Sequence, residues 1–311
     1  MTTPPSSEPQ ASPFGPPRSV PPPRPAPARP GRKLGPVALD VSSSHRSWLE
    51  PMREKYLGSG LTLGDLSCQV LLAKSKLSEL LRGVGLYPRW EVIHRLGLAL
   101  DLPGWPLHRL WRRAALDAGK PQEWIERSTE KASMSTAPGH PPLDYGALRQ
   151  TTEDDYRFYA QVFLRDTERD AAVEDTFATL WLCWATALRS PDIRNFAWSI
   201  LRATVMARAV HRDGRPELEV AVFDTVALRM ISPSDSTAQL TESVELFKAI
   251  SKLPPGQLDV MVLRHLCGFT AEKTSNLLGV PLATVRSDER RAARYLESAV
   301  SLPPDTEGPT T

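Results

Sequence analysis

"GFTAEKTSNLLGVPLATVRSDERR", residues 268–291, has the residue order of two short helices joined by one tight turn. Thr270 suits the cap of the first helix, where a hydroxyl accepts a hydrogen bond from a first-turn amide. Ser275, five positions on, is small enough for a second helix to cross closely. Val280 and Val285 close a small apolar core around the turn, and Pro281 presets a helical φ where the second helix begins. From there Leu282, Val285, Ala292, Ala293 and Leu296 fall on one stripe, together with Glu289, while Arg286, Arg290 and Arg294 form a separate row headed by Ala283. The reading places Glu289 at the domain edge or paired with Arg286, and pairs Asp288 with Arg291.

A second segment, "GLTLGDLSCQVLLAKSKLSELLRG" (60–83), carries the same order. At a constant offset of 208, Thr62 meets Thr270, Ser67 meets Ser275, Leu72 meets Val280 and Leu77 meets Val285. Both segments therefore read as helix-turn-helix units. Around them apolar residues recur at three- and four-residue steps: Leu61, Leu66, Leu77, Leu80, Leu81, Ile93, Leu96, Leu100 and Leu110 in the first half, with no competing strand alternation. The fold class is all-α, with two helical DNA-binding-type modules.

Proline marks the borders. Residues 1–36 hold 13 of the chain's 30 prolines and little to bury, so residues 1–45 are expected to form a disordered leader. A helical domain is expected over 46–127, a linker over 128–143 and a second helical set over 144–212. A linker with a short helix, "LEVAVFDTVALRMI", follows over 213–239, then a last helical set over 240–300 and a loose tail over 301–311.

The net charge is only +2, but it is unevenly placed: +4 over residues 1–36, +4 over 46–127 and −3 over 141–300. Any attraction to nucleic acid must be local. Three distant cysteines, Cys68, Cys183 and Cys267, have no metal-ligand spacing and read as reduced, mostly buried thiols. No metal and no cofactor is expected. The apolar run "LWLCWATAL" (180–188) is far short of the roughly 20 residues that span a bilayer. With no targeting segment, a cytoplasmic protein without membrane contact is expected. "HRDG" (211–214) lacks the other parts of a kinase, and "GSGLTLG" (58–64) lacks the lysine of a phosphate loop, so an enzyme is not expected.

Residues 47–125, most specifically "TLGDLSCQVLLAKSKLSELLRG", resemble the DNA-binding domain of Xre/Cro regulators, with "YPRWEVIHRLGLAL" as a following helix anchored by Trp90. The resemblance implies that Lys74, Ser75, Lys76 and Ser78 lie at the exposed start of a recognition helix and meet DNA. Leu71 departs from it, because the family often has glycine there in a left-handed turn conformation that leucine takes only at a cost.

"LFKAISKLPPGQLDVMVLRHLCGFTAEKTSNLLGVPLATVRSDERRAARYL" (246–296) resembles region 4 of extracytoplasmic-function sigma factors, the part that reads the −35 promoter element. The resemblance implies promoter DNA as partner, with Thr284, Arg286, Ser287, Arg290 and Arg291 as contacts. Upstream, 155–210 is similar to sigma region 2. There "VEDTFATLW" implies contact with core RNA polymerase through Glu174, Asp175, Phe177 and Trp181, although Phe177 and Trp181, one turn apart, equally suit a plain core. "NFAWSILRATVMAR" matches the helix that reads the −10 element; Arg202 is retained, but Ala203 and Ala207 replace the usual charged residues. An anti-sigma factor or another regulator is a further partner that the sigma likeness brings.

Overall fold

The computed structural model describes residues 34–130, 140–219 and 246–300. Within them the chain is helical except for one tight hairpin, so the all-α reading stands. The first set comprises α1 (Ser43–Gly58), α2 (Leu63–Val70), α3 (Lys74–Leu81), α4 (Trp90–Ala99), α5 (Gly104–Asp117) and α6 (Gln122–Glu130). The second comprises α7 (Leu143–Ala160), α8 (Asp166–Leu182), the single turn α9 (Trp184–Ala187) and α10 (Ile193–Met206). The hairpin pairs β1 (His211–Arg212) with β2 (Arg215–Pro216), turning through Asp213 and Gly214, both at positive φ. Residues 246–251 are helical; "LPP" stops them, and α11 (Pro255–Met261) starts with Pro255 in its first turn and runs into a π-helical turn (Val262–Leu266). Then come α12 (Ala271–Leu278) and α13 (Leu282–Val300).

The amino-terminal core gathers Trp48, Trp90 and Trp111 with Leu66, Leu77, Leu81 and Ile93. A second core joins Tyr156, Phe177, Trp198 and Leu201 to Val262, Leu263, Leu277, Val285 and Ala292. Residues of α7 to α10 and of α11 to α13 thus share one core.

α8 explains why the amino-terminal helices do not stand apart either. Val173, Phe177 and Leu180 face the second core, whereas Ala178 and Leu182 of the same helix are buried in the first. The later turns of α8 are thus buried on two sides, and α5 and α1 supply the cover on one.

Three expected borders move. Residues 34–42 pack onto the first domain, with Val41 buried and Leu34, Val37 and Ala38 against the core, so the described part of the leader is ordered. Arg53 ties it down by donating to the carbonyl of Gly35 at 2.6 Å. The expected linker begins inside α6, because buried Ser128 accepts from the amide of Trp90 at 2.7 Å and caps α4. Residues 217–219 return to the body, where the Glu219 amide donates to the carbonyl of Val162 at 2.7 Å. The short helix expected over 218–231 lies almost wholly outside the described residues.

Candidate nucleic-acid interface

α12 and α13 form the turn that the sequence order requires. The Thr270 hydroxyl accepts from the Lys273 amide at 3.1 Å, capping α12. Gly279 ends the helix at φ 63°, ψ 38°, and its neighbour Val280 donates from its amide to the carbonyl of Ser275. The Ser275 hydroxyl donates to the carbonyl of Val280 at 2.6 Å, so its small side chain also ties the turn. The turn is pressed against the start of α10: the Asn195 amide group donates to the carbonyl of Leu278 at 3.0 Å.

On α13, Val285, Ala292 and Leu296 are buried, and Thr284, Arg286, Arg290, Arg291 and Arg294 are exposed; Ser287 is half-buried. Arg286 and Arg291 keep about 60% of their side-chain surface in solvent, at 61% and 62%. Their carboxylate neighbours are distant ones, Glu272 at 3.8 Å and Asp288 at 3.9 Å. Arg290 and Arg294 each lie along their own helix, their Nε groups directed at the carbonyls of Arg286 and Arg290. Glu289 pairs with neither Arg286 nor the row. It is claimed by Arg264 at 3.1 Å and faces His265 at 3.2 Å, both on the π-helical turn, which leaves the arginine row facing outward.

The first unit repeats the geometry. Thr62 accepts from the Asp65 amide at 3.2 Å, and Asp65 accepts in return from the Thr62 amide at 3.0 Å, a reciprocal cap. The Ser67 hydroxyl donates to the carbonyl of Leu72 at 2.6 Å, and Leu71 stands at φ 54°, ψ 43°. Lys74, Ser75 and Lys76 are exposed at the start of α3, and Ser78 is half-buried. Lys76 is paired with Glu79 at 2.8 Å.

The four residues singled out for polymerase contact are placed differently. Phe177 is fully buried and stacks on Tyr156 with ring centroids 5.5 Å apart, so it is core. Asp175 is 4% exposed and accepts from Arg109 at 2.7 Å and Arg208 at 2.6 Å. Glu174 is held by Arg149 at 2.5 Å. Trp181 is half-buried between Trp105 at 6.1 Å and Tyr145 at 5.8 Å. As folded here, Asp175 and Phe177 are buried, and Glu174 and Trp181 keep part of their surface in solvent.

Arg202 does not face outward to DNA either. Its Nε donates to both carboxylate oxygens of Asp259, at 3.1 and 3.0 Å; Tyr159 donates to the same carboxylate at 2.8 Å and Trp198 at 3.0 Å. Burial pushes the Asp259 carboxyl above its ordinary range, and Arg202 and the two other donors pull it back. This cluster joins α7, α10 and α11. Sequence reasoning missed it; the available signal was an acid inside the apolar run "QLDVMVL".

Among the described residues no group of His, Cys, Asp and Glu is arranged to hold a metal ion, and no helix is long and apolar enough to cross a membrane. Of the three free cysteines, Cys68 is exposed, against expectation, and Cys183 and Cys267 are half-buried.

No curated protein and no solved structure matched the chain. Residues 249–297, from just before α11 through most of α13, match the family Sigma-70, region 4. The carboxy-terminal part is therefore sigma-factor-like: a helix-turn-helix of DNA-binding, transcription-regulating type.

Proposed function

We propose that the chain is a promoter-binding transcription regulator of extracytoplasmic-function sigma type, working in the cytoplasm, with α13 as its main DNA-reading helix. The observation that carries this is the outward row Arg286, Arg290 and Arg294, flanked by exposed Thr284 and Arg291, on the second helix of the region 4 match. Thr284, Arg286, Ser287, Arg290 and Arg291 are the proposed contacts. An arginine reads guanine through a two-pronged hydrogen bond and phosphate through charge, so this set supplies both affinity and selectivity. Lys74, Ser75, Lys76 and Ser78 of α3 form a second, weaker DNA surface in the Xre/Cro-like domain. Glu174 and Trp181, half-buried on α8, are the proposed remainder of a region 2-like polymerase surface whose other two members, Asp175 and Phe177, are turned inward.

Footprinting of the full-length protein on promoter fragments tests the reading. Protection that disappears in Arg290→Ala/Arg291→Ala supports it; wild-type protein that protects nothing at low ionic strength overturns it.

A second reading is favoured by the burial of Asp175 and Phe177 and by the capture of Arg202. In it the protein binds DNA but has given up polymerase. Copurification of core RNA polymerase with both the wild type and Arg109→Glu/Arg113→Glu, which frees α8 from α5, decides between the two: capture by neither supports the second reading.

A further inference from the structure

The first domain closes over α8 and the α9 turn through an apolar patch flanked by ion pairs. From α5, Arg109 reaches Asp175 at 2.7 Å and Arg113 reaches Glu168 at 3.0 Å. From α1, Glu54 accepts from Thr186 at 2.5 Å and lies 3.7 Å from Arg189. Ala178 and Leu182 of α8 are buried in the first core, and the Trp105–Trp181 ring contact lies at the rim. Several partners are wet: Glu168 is 46% exposed, Glu54 48% and Arg189 71%. The joint is also incompletely filled. A cleft of about 810 Å³ runs between α1 and α10 with Asp175, Thr179 and Cys183 of the α8 end in its lining. Permanent cores pack densely and are apolar, whereas a polar, charge-paired and gapped contact is typical of domains that separate.

We propose that the amino-terminal helical domain is a cover built in cis over α8, and that core RNA polymerase gains α8 only when this domain undocks. This rests on the sigma-type reading above. Partner affinity is then reduced by the fraction of molecules that are closed. The cover's rim pairs, Arg113–Glu168 and Glu54–Arg189, are solvent-exposed and weakened by salt, whereas the buried Arg109–Asp175 pair must be outcompeted by a partner for the cover to open.

The cysteines report the cover directly in the full-length protein. Cys68 is exposed, Cys183 lines the cleft under the cover, and Cys267, half-buried at the edge of the second core, has its thiol on the carbonyl of Phe158. A thiol-labelling time course on wild type is expected to modify Cys68 first and Cys183 and Cys267 slowly. Burial supports this for both slow thiols, pushing each up to about 12. Arg109→Glu/Arg113→Glu is expected to speed Cys183 by about tenfold or more, with Cys267 unchanged, and to raise core-polymerase capture by a similar factor. Adding Glu168→Arg should partly reverse both. Should the double variant fail to fold, Glu54→Lys, which sets a lysine beside Arg189, opens the joint from α1 instead.

Cys183 labelling as fast as Cys68 in wild type overturns the proposal. So does equal polymerase capture by closed and opened protein, or no capture by an opened, folded variant. Footprinting through α13 is measured on the same samples, so loss of the DNA reading is seen separately from loss of the cover.

Discussion

Leu71 and Gly279 occupy one position in two copies of the same turn, at φ 54°, ψ 43° and φ 63°, ψ 38°. Each amide donates back to the serine four residues earlier, Ser67 or Ser275. The backbone demand is identical, but the surroundings differ. Leu71 projects into solvent at 81% exposure. At Gly279 a Cβ would overlap the Asn195 backbone and the Asp192 carboxylate.

Substitution at the two positions should therefore have opposite signs. Left-handed backbone costs an L-residue roughly 1–2 kcal/mol, and glycine returns part of that through its looser unfolded state. Leu71→Gly is expected to stabilise the protein by about 0.5–1 kcal/mol, losing no packing. Gly279→Ala adds overpacking worth about 1–3 kcal/mol to the backbone cost, so a net loss of about 2–4 kcal/mol is expected. Urea denaturation of the two variants measures both.

DNA binding through α13 should be steeply salt-dependent. Three phosphate contacts from Arg286, Arg290 and Arg294 give a loss of roughly 30- to 100-fold between about 50 and 200 mM salt. Arg290→Ala is expected to cut that span to about tenfold by removing one contact. Fluorescence anisotropy titrations over a salt series read the slope, and a slope unchanged in the variant counts against a phosphate contact by Arg290.

The Asp259 cluster should be a strong structural joint between α10 and α11. Asp259→Ala strands the Arg202 cation and removes the acceptor of Tyr159 and Trp198, with an expected cost of about 3–5 kcal/mol. Asp259→Asn should cost less, because an amide oxygen still accepts from either ring donor. The shift in denaturation midpoint measures the difference.

Acid should weaken the amino-terminal domain before carboxylates titrate fully. His45 stacks on Trp48 at 4.8 Å, and burial, then the Arg46 charge, pushes its pKa down to about 4. Its folded pKa lies below its unfolded value of 6.5, so the unfolded chain binds the extra proton. The contribution is complete above the unfolded value and is lost as pH falls from there toward 4, by at most about 3 kcal/mol. Burial shifts His94 and His108 in the same direction. Thermal unfolding between pH 7 and about 4 should show this slope, and His45→Phe, which keeps the stacked ring, should flatten it.

What was legible in the sequence is what short-range geometry demands. Thr62 and Thr270 cap, Leu77 and Val285 bury, and the strained Leu71 is where its glycine counterpart predicts. The outward arginine row was legible too, since every fourth residue of a helix shares a face. The role of Glu289 was not, because Arg264 and His265 reach it from another helix.

The residue pattern by itself determined two helix-turn-helix units in an all-helical chain, because caps, turn conformation and helical periodicity involve residues a few positions apart. Only the tertiary structure decided that Phe177 is core, that Asp175 lies between Arg109 and Arg208, and that Arg202 is bound to Asp259. These partners lie 33 to 66 residues from one another along the chain. A helix whose apolar residues spread around more than one face, such as the later turns of α8, must be covered on more than one side and leaves the cover to be chosen by packing.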